Sequence, residues 1–498
     1  MRPLASHRIA SEPAPSVSPG PEPSGGQEHL TRLAAFFDRF AENEPRWRRR
    51  NRTYYRLLEA ICRFLIPEGA SVLEIGSGSG DLLAALRPSR GVGVDVSGGM
   101  VELARSRHPE LEFVQHAGER FNRDEQFDYV FLGDLVPFAF DLQALLHNVR
   151  RMSHDRTRVV IHSYSQLWRP LIRFAELLRL KPRKPIHNWV TPDDLRNLLE
   201  LADFEVISTS RRIVFPLHVP LLSTFLNGFL ANIWPFSHLS LTWWMVARPQ
   251  PAKARELSTS IVVPCRNERG MIAEIIQRTP ELGPESELIF VEGGSTDGTR
   301  EEIERQIAAQ PTRAISLYVQ TGTGKGDAVR LGFARAKNEL LLILDADLTV
   351  APEDLPKFYR AVADGRADFA NGSRLVYDVE PGAMQFLNML GNKFFAAVFS
   401  TVLRQHLKDT LCGTKALRRD DYEAIDRSRS YFGDFDPFGD FDLLLGAGRL
   451  GLKIVDVPIR YHARRYGTTN ISRFRHGVAL LQMATFAYWK FRVVPYRR

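Results

Sequence analysis

The chain has 498 residues, too many for one hydrophobic core, so two or three domains are expected. Its composition, 44% hydrophobic and 25% charged, is that of a globular protein. The formal net charge of +8 fits attraction to anionic lipids, nucleotides or nucleic acid, or simply a solvated basic surface. Three widely separated cysteines, Cys62, Cys265 and Cys412, give neither a disulfide framework nor metal-ligand spacing, which fits a reducing cytosol.

The order of segments predicts two folded domains behind a tail. Residues 1–28 are predicted to be disordered, because they are rich in Pro, Ser and Gly, and no apolar secretory signal is present. A Pro-rich basic stretch is predicted to form a linker over residues 249–257, between domains at 29–248 and 258–498. Both halves alternate strand-like and helix-like segments, which predicts α/β domains with parallel sheets covered by helices.

The first domain opens with a glycine-rich turn. "SVLEIGSGSGDLLAAL" predicts a strand over residues 72–75, then a tight turn that a ligand can approach closely, then a helix. A second strand, in "GVGVDVSGGMVELAR", ends at Asp95, whose carboxylate can accept both hydroxyl groups of a ribose. A third strand is expected to end near Glu119, and a fourth to cover residues 127–134.

These motifs resemble the class I S-adenosylmethionine-dependent methyltransferases over about residues 50–248. The resemblance implies a Rossmann-like fold that binds S-adenosylmethionine. The implied cofactor-binding residues are Glu74, Gly76, Gly78, Gly80, Asp95 and Glu119. Where the family often has an acidic residue for the adenine amino group, this chain has Ala117, and Glu119 either replaces it or is simply exposed.

The chemistry of the first domain stays open. A nicotinamide-type dinucleotide fold and an inactive methyltransferase fold are the alternatives, and nothing in the sequence identifies a methyl acceptor. His116, His162 and Tyr164 are candidate bases by residue type only. The most apolar stretch, residues 213–246, is interrupted by three prolines, so it is not a clean membrane span. It is predicted to be either a buried helix pair or a surface that dips into a membrane interface.

The second domain has several strand-to-helix transitions that should meet at one sheet edge, where open α/β sheets bind ligands. Strands are predicted over residues 261–263, up to Glu292 and from residue 340, and glycines surround Lys325 before a helix. The last of these strands, in "LLLILDADL", leads into Asp345 and Asp347, and residues i and i+2 of a strand share a face. Close carboxylates repel unless a cation joins them, so the pair predicts a site for Mg²⁺ or Mn²⁺ with a diphosphate. A solvated loop or a helix cap is the alternative.

The motifs "VVPCRNE", "GGSTDGT", "GKGDAVRLG", "DADL", "NGSR" and "DTLCGTKALRR" resemble, in order and spacing, the family 2 glycosyltransferases with the GT-A fold. Over about residues 257–490 they are most like the dolichol- and polyprenyl-phosphate hexose synthases. The resemblance implies that Asp345 and Asp347 hold the metal, that Arg374 lies near the donor phosphates and that Asp409 lies close to the reaction centre; these four are the implied catalytic residues. The implied donor-binding residues are Pro264, Asn267, Glu268, Glu292, Ser295, Asp297, Lys325 and Arg464.

Two positions depart from this family pattern. Glu292 and Gly293 stand where two aspartates are common, so base or ribose contacts are expected to differ. Asn470 replaces a usual lysine, and its phosphate contact is expected to move to another basic residue. The candidates are Arg465, Arg473 and Arg475.

The two resemblances together imply a bifunctional enzyme. One domain would transfer a hexose, with inversion, from a nucleotide sugar to a polyprenyl or dolichyl phosphate; the other would transfer a methyl group. A phosphate monoester is largely ionised at neutral pH and needs no general base. The alternative acceptor is a glycan hydroxyl in cell-envelope polysaccharide synthesis, which requires a base, with Asp409 as the candidate. The methyltransferase would then modify the same glycan or be inactive.

The C-terminal stretch "VALLQMATFAYWKF" is apolar and aromatic and is flanked by basic residues. It predicts an amphipathic helix that either packs on its own domain or lies on an anionic membrane. We therefore expect a cytoplasmic protein in peripheral contact with the inner face of the cytoplasmic membrane. Basic residues lack the interleaved aromatic residues of a single-strand platform, so nucleic acid is not expected as a partner.

Overall fold

The structure, a computed structural model, contains two seven-stranded sheets, one in each half of the chain. The two sheets confirm the predicted two-domain α/β architecture. They are mixed and not purely parallel as predicted, because one strand in each runs antiparallel to its neighbours. The residues that the structure describes are 24–177, 188, 190–219, 221–251, 254–377, 386–432, 441–466 and 473–494.

The N-terminal sheet has the strand order β3-β2-β1-β4-β5-β7-β6, with β7 antiparallel to both neighbours. Its strands are β1 Ser71–Ile75, β2 Arg90–Asp95, β3 Glu112–Gln115, β4 Phe127–Gly133, β5 Ser153–Tyr164, β6 Phe204–Arg212 and β7 Thr242–Pro249. Its helices are α1 Ser24–Ala41, α2 Glu44–Arg50, α3 Arg52–Leu65, α4 Asp81–Ala85, α5 Gly98–Arg107, α6 Leu142–Arg151, α7 Arg169–Leu177, α8 Pro192–Leu201 and α9 Leu222–Gly228. Val72 and Leu73, adjacent on β1, belong to different buried clusters, so the sheet is covered on both faces.

Two boundaries of this domain differ from the sequence prediction. Helix α1 begins at Ser24, so the last five residues of the predicted 1–28 tail are helical, and residues 1–23 lie outside the described residues. Strand β3 ends at Gln115 rather than near Glu119, because the chain turns away after its pairing with β2 is complete.

The C-terminal sheet has the order β10-β9-β8-β11-β13-β12-β14, with β13 antiparallel to both neighbours. Its strands are β8 Thr259–Cys265, β9 Ser286–Glu292, β10 Ile315–Val319, β11 Leu340–Ile343, β12 Phe369–Ser373, β13 Lys415–Arg418 and β14 Ile454–Pro458. Its helices are α10 Ile272–Arg278, α11 Thr299–Ala309, α12 Lys325–Arg335, α13 Leu355–Ala363, α14 Phe386–Leu403, α15 Arg419–Arg427, α16 Phe441–Arg449 and α17 Arg473–Tyr488. A π-helical turn, Trp489–Val493, continues α17.

Strand β11 shows why the acidic pair lies where it does. All four of its residues are buried, and it pairs with β8 on one side and β13 on the other. A strand covered on both faces needs a continuous apolar run, as the sequence has here. The strand ends at Ile343, and Asp345 and Asp347 follow in a turn at the sheet edge.

Buried charges join the two domains. The carboxylate of Asp368, just before β12, forms ion pairs with Arg158 of β5 and Arg248 of β7, each with an N–O distance of 2.6 Å. Arg158 Nε also donates to the Gly451 carbonyl at 2.7 Å. All three charged side chains are at most 7% exposed, so this contact belongs to the interior of the molecule.

The stretch over residues 213–246 is not the buried helix pair that the sequence allowed. It holds the seven-residue helix α9, two 3₁₀ turns and the start of β7, and many of its apolar side chains are exposed. In α17, Leu480 and Met483 are buried, while Leu481 is exposed, so this helix both packs on its domain and presents an apolar face. Within the described residues, none of the helices combines the length and apolarity that crossing a membrane requires.

Candidate active sites of the two domains

The loops after β8 and β9 are held together by residues that the sequence predicted for donor binding. The backbone N–H of Asn267 donates to Ser295 Oγ at 2.9 Å, and its side-chain oxygen accepts a backbone N–H of the same loop at 2.8 Å. Glu292 Oε1 accepts the N–H of Ser295 at 2.5 Å. Asp297 accepts the N–H of Thr299 at the start of α11, at 3.0 Å. Predicted donor-binding residues therefore fix the shape of this edge through their own hydrogen bonds.

The acidic pair faces basic side chains from two other segments. Lys325 Nζ, at the start of α12, lies 2.5 Å from Asp345 Oδ1. Arg464 Nη1 lies 3.9 Å from Asp347 Oδ2, and its other terminal nitrogen pairs with Glu268. Burial acts to raise the pKa of Asp345, but the nearby cations Lys325, Lys415 and Arg374 together lower it below its usual value. Each aspartate is thus balanced by a side-chain cation.

Glu268 is the most perturbed carboxylate of this site. It is buried, and burial raises its pKa to about 7, although Arg464 opposes the shift. Asp347 raises the pKa further by charge repulsion. Oxygen Oε2 of Glu268 is buried and has no hydrogen-bond partner among the described residues. A carboxylate in this environment can accept a proton near neutral pH or bind a cation.

Arg374 and Asp409 form a closed pair beside the acidic residues. Arg374 donates to both carboxylate oxygens of Asp409, at 2.7 and 2.9 Å, and Asn392 donates a further hydrogen bond at 2.8 Å. Burial alone would raise the pKa of Asp409, but the guanidinium of Arg374 holds it at about 2. Asp409 is completely buried in this pair, and its role as a base stays a prediction.

Two further features complete this edge. Pro264 lies inside β8, one residue before its end. Gly413 approaches the Lys325–Asp345 pair so closely that a Cβ atom would collide with both side chains. Gly413 lies in the "DTLCGTKALRR" motif, but its role was not predicted, because close approach between distant segments leaves no local signal in the sequence. Asn470, which replaces the usual lysine, lies outside the described residues, as do the side chains of Arg473 and Arg475, two candidates for the displaced phosphate contact.

The N-terminal domain encloses a cavity of about 460 Å³ at the carboxyl edge of its sheet. Glu74 and Gly78 line it, as do His162 and Tyr164 at the end of β5. Asp95 lies beside it and accepts the Gly78 N–H at 2.9 Å, which fixes the glycine turn on β2. This turn requires glycine: Gly76, Gly78 and Gly80 all have positive φ, and a Cβ at Gly80 would collide with the ring of Phe113.

Not every predicted cofactor residue reaches the cavity. The Glu119 carboxylate accepts the backbone N–H of Phe140 at 2.8 Å and holds the loop after β4. Its contact with an adenine ring stays a prediction. His116 is exposed, and its ring forms a hydrogen bond with the Ala117 carbonyl oxygen. His162 lies on the cavity wall instead, where its Nε2 is 3.7 Å from Asp134 Oδ1.

The helices that cover the cavity were not predicted from the sequence. Aromatic residues of α1, α2 and α3 form much of its wall, namely Phe36, Phe37, Phe40, Trp47, Tyr54 and Tyr55. Asp38 of α1 also accepts hydrogen bonds from Ser97 Oγ and the Gly99 N–H, which joins α1 to the start of α5. The only signal was an unusual density of aromatic residues ahead of the glycine motif.

Comparison with known proteins decides the family. Residues 260–426 match the family model "Glycosyl transferase family 2", and residues 46–209 match "Methyltransferase domain". Over 219 residues, 44% of this chain, the sequence is 32% identical to glycosyltransferase AglJ of Haloferax volcanii and spans 67% of that protein. The chain belongs to glycosyl transferase family 2. Its N-terminal part is a methyltransferase domain, so both predicted domain families and both predicted fold classes are confirmed.

Two other matches describe the family 2 domain further. The chain is 29% identical to polyprenol monophosphomannose synthase of Mycolicibacterium smegmatis over 48% of its own length and 90% of the relative. For another curated relative, the matched part of this chain spans only 40% of that relative's length. A solved structure of glucosyl-3-phosphoglycerate synthase from Mycobacterium tuberculosis matches 47% of this chain and 80% of its own, at 20% identity and a TM-score of 0.35.

The family 2 domain offers suitable ligands for a divalent cation. Asp345 and Asp347 would be the protein ligands; among the described residues, no three His, Cys, Asp or Glu side chains converge as a metal cluster. Mg²⁺ is commonly held by one or two carboxylates together with substrate phosphates, and Mn²⁺ likewise suits oxygen ligands. The unpaired buried oxygen of Glu268 adds a third negative group nearby. These residues fit Mg²⁺ or Mn²⁺.

The methyltransferase cavity suits a positively charged ligand. Burial, and secondly the charge of Asp95, raise the pKa of Glu74 to about 8. Oxygen Oε2 of Glu74 is buried and has no hydrogen-bond partner among the described residues. A cation beside this carboxylate would stabilise its ionised form, and the aromatic wall suits a sulfonium group. The residues present therefore fit S-adenosylmethionine.

Proposed function

We propose that the family 2 domain transfers a hexose, with inversion and with the help of Mg²⁺ or Mn²⁺, from a nucleotide sugar to a polyprenyl or dolichyl phosphate. The observation that carries this proposal is the arrangement of Asp345 and Asp347 opposite Lys325 and Arg464 at the carboxyl ends of parallel strands. The similarity to polyprenol monophosphomannose synthase supports the acceptor class.

The side chains of the site then have distinct tasks. Asp345 and Asp347 would hold the divalent cation, which supplies charge neutralisation for the leaving diphosphate. Lys325 and Arg464 would leave their carboxylates and bind phosphate oxygens, since cations form strong charge-assisted hydrogen bonds with phosphate. Asn267 and Ser295 keep the nucleoside-side loops in place through their mutual hydrogen bond.

The Arg374–Asp409 pair favours a phosphate acceptor. A carboxylate with a pKa of about 2 is a poor base, and Asp409 is completely buried. Its task is to orient Arg374, whose guanidinium would guide a phosphate into position. An acceptor that is already ionised needs orientation and no deprotonation.

The alternative function, transfer to a glycan hydroxyl, is favoured by one observation. Glu268 lies next to Asp347 and has a pKa of about 7, which suits a general base at neutral pH. In this case the methyltransferase domain would modify the same glycan or be inactive. Glu268→Gln distinguishes the two: it should abolish transfer to a hydroxyl but leave transfer to a lipid phosphate within about tenfold of wild type.

For the N-terminal domain we propose methyl transfer from S-adenosylmethionine. Glu74 and Gly78 would hold the methionine part and Asp95 the ribose. The enzyme would work in the cytoplasm, at the inner face of the cytoplasmic membrane, where a lipid-phosphate acceptor has its headgroup.

A labelled-donor assay tests the transferase proposal. Purified protein receives radiolabelled UDP-glucose, GDP-mannose or UDP-N-acetylglucosamine with polyprenyl phosphate in detergent, with Mn²⁺ or with a chelator. We expect label in the organic phase with one donor, only with metal, and loss of at least about a hundredfold in Asp347→Asn. Asp364→Asn, in an exposed pair with Arg366, is the matched control and should stay active. Label that enters only a water-soluble glycan would refute the lipid acceptor.

A further inference from the structure

Between β6 and β7, residues 213–219 and 221–241 include many exposed apolar side chains; this segment is here called the apolar insert. Leu221 and Trp234 are 85% and 77% exposed. Other exposed apolar side chains of the insert are Leu217, Val219, Leu222, Phe225, Phe229, Ile233, Phe236 and Leu239. A single exposed leucine is ordinary, but so many in one short segment mark an interaction surface.

The apolar insert continues onto the glycosyltransferase domain. The Tyr488 hydroxyl of α17 donates to the Gly228 carbonyl at 3.1 Å, and the ring centroids of Phe229 and Tyr488 lie 6.2 Å apart. Arg404, at the end of α14, donates to Asn232 Oδ1 at 3.2 Å. Beside these contacts both helices expose further apolar side chains, namely Leu390, Phe394, Val478, Leu481 and Trp489. Both domains thus contribute to one surface, here called the shared face.

Helix α7 adjoins the same face. The Trp168 indole N–H donates to the Leu239 carbonyl at 3.0 Å. Leu171, Phe174 and Leu177 of α7 are more than half exposed. The face therefore extends from the end of β5, which carries cavity residues, to the C-terminal helix of the other domain.

The charge of the shared face indicates which kind of partner it binds. The segments 211–246, 386–408 and 473–494 contain no Asp or Glu. Of their basic residues Arg212 and Arg492 are buried, whereas Arg211 is partly exposed and Lys393 and Lys408 are exposed. Two copies of such a surface would repel each other, which disfavours self-association. An anionic bilayer is favoured as the partner because it would bury the apolar side chains and attract the basic residues near its surface.

The methyltransferase cavity is next to this face. Pro216 and Leu241, at the two ends of the apolar insert, are part of the cavity wall. Pro216 is followed directly by Leu217, and Leu241 closely follows Leu239, both exposed on the face. A molecule anchored in a bilayer on the shared face could therefore present its headgroup to the cavity without leaving the membrane.

We propose that the shared face docks on an anionic bilayer and that the methyl acceptor is an amphiphile held in that bilayer. The acceptor class is a polar or glycosylated headgroup on a lipid anchor. This inference rests on the proposed function, in which the glycosyltransferase domain uses a lipid phosphate in the same membrane, and it adds the substrate class of the other domain.

Vesicle flotation of the full-length protein tests the docking. The probes are vesicles of phosphatidylcholine alone and of phosphatidylcholine with phosphatidylglycerol. We expect flotation with the anionic vesicles, weakening at high salt. The double variant Leu221→Asp with Phe225→Asp should reduce the partition constant at least about tenfold, because two apolar side chains are lost from the bilayer.

The matched control is Leu201→Asp, which changes a 62% exposed leucine of the same domain. Leu201 precedes the start of β6, whereas the apolar insert follows its end, so the strand separates them by roughly 25 Å. The control should float like wild type, and all variants should keep the wild-type melting temperature. Equal flotation of the double variant and wild type, or self-association in place of flotation, would overturn the docking surface.

A second arm tests the acceptor class. Tritiated S-adenosylmethionine is incubated with the protein and vesicles of total polar bacterial lipid, and label is measured in the organic phase. We expect labelled lipid with wild type and Leu201→Asp and at least a fivefold loss in the double variant. Label found only on water-soluble acceptors would overturn the proposal. Glycosyl transfer to polyprenyl phosphate in detergent is measured in parallel, and its failure with intact flotation would refute the proposed function while supporting the docking face.

Discussion

The buried charges between the domains predict that Asp368→Asn destabilises the whole molecule. Asp368 neutralises Arg158 and Arg248, which are 3% and 2% exposed. Removing one partner of a buried ion pair typically costs about 3–5 kcal/mol, because it leaves an uncompensated charge in the interior. In the variant, Arg158 retains its hydrogen bond to the Gly451 carbonyl. Arg248 retains its ion pair with Glu205, at 3.1 Å, and a hydrogen bond to a backbone carbonyl. We therefore expect a loss near the lower limit, about 3 kcal/mol.

The assay is urea unfolding followed by tryptophan fluorescence and by circular dichroism. Six of the seven tryptophans lie before residue 250, so fluorescence reports mainly on the methyltransferase domain and circular dichroism on both. Wild type should give coincident transitions, and Asp368→Asn should lower and separate them, since the interface couples the domains. Asp364→Asn, whose partner Arg366 is exposed, should change stability by less than about 0.5 kcal/mol. If both variants have the same midpoint, the interface charges do not stabilise the protein.

Three other outcomes follow from single positions. Because the folded pKa of Glu74 is about 8, against 4.5 when unfolded, its contribution to stability is full below pH 4.5 and is lost as pH rises through 8. Melting temperatures from pH 5 to 9 should therefore fall less in Glu74→Gln than in wild type, and parallel profiles would contradict the pKa. Gly413→Ala would push a methyl group into the lysine–aspartate pair and should lower kcat at least about tenfold, whereas Gly391→Ala, which meets nothing within 4 Å, should retain activity. The free energy of unfolding of Gly80→Ala should be lower than that of Gly69→Ala by at least about 1 kcal/mol. Both glycines have positive φ, but only a Cβ at Gly80 would collide with an aromatic ring. Equal melting temperatures of the two variants would show that the ring can move aside without cost.

The sequence predicted those parts of the fold that depend on local pattern. Apolar runs located β1, β4 and β11, because strands buried on both faces leave few polar positions. Glycine turns and terminal carboxylates located both candidate sites, because the carboxyl ends of parallel strands share one edge. The end of β3 was predicted wrongly, since pairing with β2, and not the composition of the segment, sets its length.

Features that depend on distant contacts could not be predicted. Arg158, Arg248 and Asp368 are separated by many strands in the sequence and meet only because the two sheets pack together. The burial of Asp409 follows from its pairing with Arg374, which the "DTLCG" motif does not reveal. The helices over the methyltransferase cavity carry no sequence motif, and only the fold shows that their aromatic residues line the cavity.

Calorimetric titration of UDP and GDP, with and without Mn²⁺, tests the central claim that a divalent cation joins the acidic pair to a leaving diphosphate. We expect one diphosphate to bind wild type at least about a hundredfold more tightly with Mn²⁺, and the double variant Asp345→Asn with Asp347→Asn to lose this gain. Equal affinity without the metal, or a gain that survives in the double variant, would contradict it.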